Sequence, residues 1–187
     1  MKRELVFVSM IVLACILTVP AVHIEAQPSA VIVIDYSHGN TRSSIEVTED
    51  MWLDGNLTAL GYEVIWAKGG INATALADAD ALILGSTDGI GYTPAEVSAI
   101  ASWYGYGKFL WIATDSDYDG TAINHNASLI LEAVGSHVYG EEMHVWDDES
   151  NAGGGYRCVT NITSDDPYVA DIVNNVTRVL FHGPTFL

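Results

Sequence analysis

Basic side chains are scarce in this sequence. Seven lysines and arginines stand against 24 aspartates and glutamates, which gives a formal net charge of -17 at pH 7. A surface of this sign repels phosphate backbones and anionic lipid headgroups, so nucleic acid is excluded as a partner. The charge suits divalent cations, a saline medium or a cationic partner, and it also helps to keep an exported protein in solution.

Cysteine is nearly absent as well. The chain has only Cys15 and Cys158, and Cys15 lies in an N-terminal segment that we expect to be removed. A single remaining cysteine cannot form an internal disulfide, so stability outside the cell has to come from core packing and bound ions. We interpret Cys158 as a small buried apolar side chain rather than as a reactive thiol.

The apolar run at the N-terminus is short for a permanent membrane anchor. It extends over residues 5–19 and follows Lys2 and Arg3. About twenty apolar residues are needed to cross a bilayer as a helix, whereas a charged start followed by a shorter apolar core is typical of a secretory signal. We therefore predict a cleaved signal over 1–26 and a single domain over 27–187, with an uncleaved anchor as the alternative.

Glycosylation sequons also indicate export. Chance would give about one or two N-x-S/T triplets in a chain of this composition, and this chain has five. We predict a glycoprotein that is secreted or exposed at the cell surface. The predicted acceptors are Asn56, Asn72, Asn126, Asn161 and Asn175.

Short apolar runs typical of strands covered on both faces alternate with helical patterns. One predicted helix has Thr93 as its N-cap, Pro94 at its first position and Glu96 at capping-box spacing, and Gly61 and Gly135 end two others. This alternation predicts right-handed βαβ units and a mostly parallel sheet between layers of helices. The strand patterns lie at 30–36, 62–67, 80–86, 108–114 and 178–181, with weaker ones at 136–146 and 156–162, and the helical patterns begin near 43, 93, 126 and 166.

Polar side chains follow the predicted strands at their carboxyl ends, where open parallel sheets have their ligand crevice. We expect these groups to converge there, with Asp35 and His38 as the candidates for acid or base chemistry, and the favoured interpretation of His38 is a structural histidine that forms a hydrogen bond to a neighbouring loop. The predicted ligand-binding residues are Asp35, Ser37, His38 and Asn40 after the first strand and Ser86, Thr87 and Asp88 after the third.

The fourth strand pattern is followed by the first half of a calcium loop, D-x-D-x-D-G. Asp115, Asp117 and Asp119 could turn their carboxylates towards one Ca²⁺, and Gly120 permits the sharp bend. The twelfth position is Asn126, which cannot supply the two oxygens of a glutamate, so an EF-hand is excluded. A looser calcium site and a plain acidic turn both stay open. A second group lacks the spacing of a zinc motif: His137, Glu141, Glu142 and His144.

The chain resembles the class I glutamine amidotransferase-like superfamily in four stretches: IDYSHGN, GYEV, ADALILGSTDGIGYTPAEVSAIASWYGYGKFLWIATD and RVLFHGP. The resemblance is to an uncharacterised secreted or membrane-linked branch, in which an aspartate and a histidine close the first strand. It implies a flavodoxin-like, three-layer α/β sandwich. Working members carry a catalytic cysteine on a strand-to-helix elbow. No cysteine follows the first four strand patterns here, so amidotransferase activity is not expected.

Three hypotheses about function remain after these observations. The favoured one is a non-catalytic secreted or cell-surface domain that binds a ligand, a glycan or a protein partner at the crevice. The second is a hydrolase or transferase with a non-cysteine, metal-assisted mechanism that uses Asp35, His38 and Asp115. The third is a calcium-stabilised structural subunit of a cell-envelope assembly. Because the sequence stops directly after a strand pattern, we also expect it to belong to a longer parent protein.

Overall fold

The computed structural model describes residues 30–38, 44–85, 87, 90–117, 122–160, 166–167 and 176–185, with the backbone alone described for 44–50. Its main sheet has four strands, all parallel, in the order β2-β1-β3-β4. The predicted parallel sheet is therefore confirmed. The strands are β1 (Val31–Asp35), β2 (Glu63–Ala67), β3 (Ala81–Leu84) and β4 (Phe109–Ile112).

Helices lie on both faces of the main sheet: α1 (Ser44–Ala59), α2 (Pro94–Trp103) and α3 (Ala122–Ala133). Trp66 of β2 is the register partner of Ile34 in β1, and its Nε1 donates to Asp54 Oδ2 of α1 at 2.7 Å. α1 therefore lies on the face of the sheet that carries Ile34. This arrangement is compatible with a three-layer α/β sandwich.

The main hydrophobic core lies on the opposite face, between the sheet and helices α2 and α3. Val33 and Leu82 are register partners, and both are completely buried together with Ile100 of α2 and Ile130 of α3. β1 is buried on both faces, as its β-branched run predicted, whereas in the edge strand β4 Phe109 and Trp111 are 63% and 51% exposed. None of the described helices is long and apolar enough to span a membrane.

The predicted start of α2 is confirmed in detail. Thr93 has extended backbone angles and accepts a hydrogen bond from the Glu96 amide, and the Glu96 side chain accepts one from the Thr93 amide at 2.8 Å. This reciprocal pairing satisfies two amide donors that the first turn of a helix leaves without partners. The predicted glycine ends of the neighbouring helices are also present, because Gly61 and Gly135 have φ of 90° and 78°.

The last strand does not extend the parallel sheet, contrary to expectation. β5 (Arg157–Thr160) and β6 (Val179–His182) form a separate antiparallel ribbon. In β6, Leu180 and Phe181 are 54% and 49% exposed, so this strand lacks the burial on both faces that a parallel strand requires. The helix predicted after Asp166 falls mainly outside the described residues.

The segment between α3 and β5 is irregular rather than the strand or hairpin predicted at 136–146. It is held by scattered contacts, such as the hydrogen bond from the Val145 amide to the Pro184 carbonyl at 2.8 Å. The loop that follows is built from side-chain turns: Asp147 Oδ1 accepts from the amides of Glu149 and Ser150, each at 2.8 Å. These hydrogen bonds from Ser150 and Glu149 lower the pKa of Asp147.

Replacing Thr93 with alanine should destabilise the protein through the start of α2. The side chain would no longer accept from the Glu96 amide, and the loss of a threonine N-cap costs about 1 kcal/mol. Urea unfolding measures this change, with Ser98→Ala as a matched control on the exposed face of the same helix. Equal effects of the two substitutions would contradict the capping role.

Candidate functional site

The strand order places a switch point between β1 and β3. The chain passes from β1 to β2 on one side and then crosses to β3 on the other, and ligands of such sheets bind at the carboxyl ends beside this reversal. Asp35, His38 and Thr87 all lie at this edge and are 0%, 4% and 3% exposed. The structure thus buries these predicted site residues at the expected edge. Three others lie outside the described residues: Asn40, Ser86 and Asp88.

Asp35 is the centre of a buried hydrogen-bond network. Its Oδ1 accepts from the amide and hydroxyl of Ser37 at 2.9 and 2.7 Å, and its Oδ2 lies 2.7 Å from His38 Nδ1. Tyr92, which follows β3, donates its hydroxyl to the same Oδ2 at 3.4 Å. Burial, followed by the charge of Asp35, raises the pKa of Tyr92 well above its ordinary value, so the phenol stays a donor.

His38 is also close to a second carboxylate. Its Nε2 lies 3.3 Å from Glu96 Oε1, and its ring packs 4.4 Å from that of Tyr92. Burial by itself lowers the pKa of His38, but the hydrogen bond and charge of Asp35, together with Glu96, outweigh burial and raise it above 6.5. The imidazolium form therefore fits the site, because it can donate to both carboxylates.

Glu96 links this pair to the rest of the fold. Its Oε1 also accepts from the Ile71 amide at 3.0 Å, while its Oε2 accepts from Thr93. Burial by itself raises the pKa of Glu96, but the hydrogen bonds from Thr93 and Ile71 and the charge of His38 lower it below its ordinary value. We call Asp35, His38, Tyr92 and Glu96 the buried latch.

The geometry of the buried latch suits a structural role better than a catalytic one. A general base needs a nitrogen lone pair within reach of a substrate proton. Both nitrogens of His38 face carboxylates, and the ring is 4% exposed. Sequence reasoning placed Asp35 and His38 correctly but missed the partners. Glu96 was recognised only as a capping residue, and Tyr92 was not singled out.

Thr87 also makes a buried contact. Its Oγ1 accepts from Asn126 Nδ2 of α3 at 3.0 Å, and Asn126 is only 8% exposed. A glycan on this nitrogen would have no room while the side chain stays buried, so the folded chain does not offer Asn126 as an acceptor. The predicted acceptors Asn56 and Asn72 are exposed, whereas Asn161 and Asn175 lie outside the described residues.

The loop after β4 is fastened by a residue that sequence reasoning did not identify. Asn124 is 1% exposed, and its Oδ1 accepts from the Asp115 amide at 3.1 Å. Its Nδ2 donates to the carbonyls of Asp115 and Glu141 at 2.7 and 2.8 Å. One amide side chain thereby joins the carboxyl end of β4 to the irregular segment beside it.

A cavity of about 620 Å³ opens beside this loop, and we call it the β4 cavity. It lies between the end of β4, the irregular segment and the antiparallel ribbon. Two of the predicted site residues, Asp115 and Asp117, therefore line a cavity. This cavity is separate from the switch point, because its other lining residues differ from those of the buried latch. Its lining consists of 115–117, His144, Trp146, Tyr156, His182 and Gly183.

Four rings form a continuous belt along the β4 cavity, in the order His144, Trp146, Tyr156 and His182. Successive ring centroids are 6.3, 6.2 and 5.3 Å apart, with interplanar angles of 76°, 48° and 85°. Aromatic rings prefer such tilted and edge-to-face contacts over flat stacking. The belt therefore forms a stable, angled wall instead of a single flat surface.

Trp146 is the most exposed large ring of the belt, at 57%. Its orientation is fixed from two sides: Nε1 donates to Asp148 Oδ1 at 2.7 Å, and the ring lies directly on Gly155. A Cβ added at Gly155 would be 2.3 Å from the indole. Position 155 therefore requires glycine, because a residue with a Cβ would not permit this close approach of the indole.

The carboxylates of the β4 cavity already have partners. Asp117 Oδ1 lies 2.8 Å from His144 Nδ1, with both side chains partly exposed, and Asp115 Oδ1 accepts from the Ser116 amide at 2.7 Å. Within the described ranges, no three histidine, cysteine or acidic side chains are grouped as metal ligands. The predicted Asp119 ligand lies outside those ranges, so calcium binding stays a prediction.

The buried latch should make stability depend on pH. Because the folded pKa of His38 is above the unfolded value near 6.5, its stabilising contribution is complete below that pH and is lost as the pH rises through the folded pKa. The difference in unfolding free energy between the wild type and His38→Gln should therefore be largest below about pH 6.5 and shrink as the pH is raised above it. Urea unfolding across a pH range that spans this value measures it.

The control for this experiment is His125→Gln, which removes an exposed histidine of α3. Its effect on the unfolding free energy should stay small across the same range, because an exposed imidazole gains little on folding. A difference for His38→Gln that is constant with pH would show that His38 is not held as a cation.

Comparisons with protein-family models, with curated proteins and with solved structures give no match for this chain. The resemblance to the glutamine amidotransferase-like superfamily therefore rests on the sequence patterns alone. Function has to be inferred from the buried latch and the β4 cavity.

Proposed function

We propose that this chain is a non-catalytic, secreted or cell-surface domain that binds a small ligand in the β4 cavity. The observation that carries the proposal is the exposed indole of Trp146, held in place by Gly155 and Asp148 at the ligand-bearing edge of a parallel sheet. We further propose a flavodoxin-like fold and a place in the class I glutamine amidotransferase-like superfamily, without its cysteine chemistry.

The support for ligand binding is the combination of exposure and fixed orientation. A tryptophan left in water does not contribute its large apolar surface to folding, so an exposed indole that is also held rigidly is typical of a binding surface. Ligand pockets of about 300–1,000 Å³ are usual, and the β4 cavity of about 620 Å³ lies within that range. Its mixture of rings and a few polar groups is also typical of such pockets.

The support for a non-catalytic role comes from the groups that would have to react. The cysteine left after signal removal is Cys158, whose Sγ lies 3.2 Å from the Gly155 carbonyl and 3.7 Å from that of Val145. Carbonyl oxygens do not stabilise a thiolate, whereas a nucleophilic cysteine needs a positive environment. The candidate base, His38, is held by two carboxylates in the buried latch.

Ligand binding can be tested by thermal melting against a panel of monosaccharides, amines, quaternary ammonium compounds, amino acids and carboxylates. A ligand at a hundredfold its dissociation constant adds about 2.7 kcal/mol to stability, so a true ligand should raise the melting temperature clearly. The shift should vanish in Gly155→Ala, because a Cβ there would displace Trp146.

The matched control is Gly105→Ala, since a Cβ at Gly105 meets no atom within 4 Å. It should keep the ligand-induced shift of the wild type. Binding in the β4 cavity would be contradicted if no panel compound changed the melting temperature, or if the shift persisted in Gly155→Ala.

The proposed export can be tested through the sequons. If the chain is produced in a glycosylating secretory host, glycopeptide mass spectrometry should find glycans at the exposed Asn56 and Asn72 and none at the buried Asn126. The reason is that Asn126 is only 8% exposed and packs against Thr87 in the folded chain. Full occupancy of Asn126 in folded protein would contradict this packing, and a chain without any glycan would count against the proposed route.

A further inference from the structure

We infer that the ligand of the β4 cavity is an organic cation with a fully alkylated ammonium group, held against the ring belt by cation–π attraction. The inference rests on the proposed function, because it names the chemical class that the same cavity takes. Three features of the cavity carry it: the angles between the rings, the engagement of its carboxylates and the charge around it.

The angles of the ring belt suit a compact, rounded group. A cation is attracted to the face of an aromatic ring within about 6 Å of its centroid, and tryptophan is the strongest partner. The belt contains edge-to-face contacts of 76° and 85° on either side of the Trp146 and Tyr156 pair. Rings set at such angles do not form the single flat platform on which the face of a pyranose stacks, whereas a rounded alkylammonium group can lie against rings that are angled to one another.

The two carboxylates of the β4 cavity suit a ligand that needs their negative charge better than one that needs directional hydrogen bonds. Asp117 is already paired with His144, and Asp115 already accepts from the Ser116 amide. A sugar would need acceptors at fixed positions for its hydroxyls, and one oxygen of each carboxylate is already engaged. A fully alkylated ammonium has no N–H donor, so it needs only the nearby negative charge, which acts without a fixed geometry.

The surrounding charge also favours a cation. The chain carries a net charge of -17, and a field of this sign raises the local concentration of positive ligands. One ring of the belt already holds a cation within the fold, since the Arg157 guanidinium lies 5.2 Å from the centroid of Tyr156. That face of Tyr156 is occupied, so Trp146, which is more exposed, provides the main surface for the ligand.

Isothermal titration calorimetry with choline and its neutral isostere 3,3-dimethylbutan-1-ol tests the inference on the full chain. The two molecules have nearly the same shape, so a difference in affinity reports the positive charge. Choline should bind at least about tenfold more tightly, which corresponds to about 1.4 kcal/mol. Equal binding of the two, or no choline binding at millimolar concentration, would overturn the inference.

Substitutions locate the binding. Trp146→Phe should weaken choline binding several-fold and Trp146→Ala should abolish it, while Trp52→Ala, which removes an exposed tryptophan of α1, should leave it unchanged. Asp117→Asn keeps the shape of the side chain and removes its charge, so it should weaken choline binding and leave the neutral alcohol unaffected. Choline binding that survives Trp146→Ala would overturn the inference.

Calorimetric titration with methyl glucoside beside choline separates this inference from the proposed function. Trp146-dependent binding of methyl glucoside without choline binding would overturn the organic cation and leave a ligand-binding domain. Failure of choline, of the saccharide and of the whole panel would overturn both.

Discussion

The fold depends most on a buried histidine held between two carboxylates, those of Asp35 and Glu96. Burying Asp35 without donors would cost several kcal/mol, and His38, Ser37 and Tyr92 supply those donors. Through Glu96, the same histidine joins the end of β1 to the start of α2 and to the loop that contains Ile71. A single charged contact therefore fixes three segments around the switch point. Removing one partner would leave an uncompensated buried charge.

This use of the switch point explains why the open β4 cavity lies elsewhere. Parallel sheets gather polar side chains at their carboxyl edge, but at β1 and β3 those side chains bind one another, as Asn126 and Thr87 also do. The end of β4 is different, because the chain leaves it through a loop held by Asn124 and then meets the antiparallel ribbon. The gap between that loop and the ribbon is the β4 cavity.

Local patterns predicted the main sheet and the helix ends, because both depend on residues near in sequence. The β-branched run at β1 and the box formed by Thr93 and Glu96 are examples. Local patterns do not predict the direction of a strand relative to its partner. A four-residue strand such as β6 has the same sequence pattern whether its partner is parallel or antiparallel. The partners Tyr92 and Asn124 were missed for a related reason, since Tyr92 lies 57 residues from Asp35 and Asn124 lies 17 residues from Glu141.

The belt of rings shows how a loop without regular structure can still be a defined surface. Asn151 Oδ1 accepts from the amides of Gly153 and Gly154, each at 3.0 Å, and the Asp147 amide donates to the Gly155 carbonyl at 2.9 Å. These short-range bonds fix the backbone on which Trp146 lies, so the ring loses its freedom during folding and not during binding. A ligand of the proposed kind would meet a surface that is already ordered, and the entropy that ordering costs would not reduce its affinity. The loop can thus provide in the β4 cavity the rigidity that the buried latch provides at the switch point.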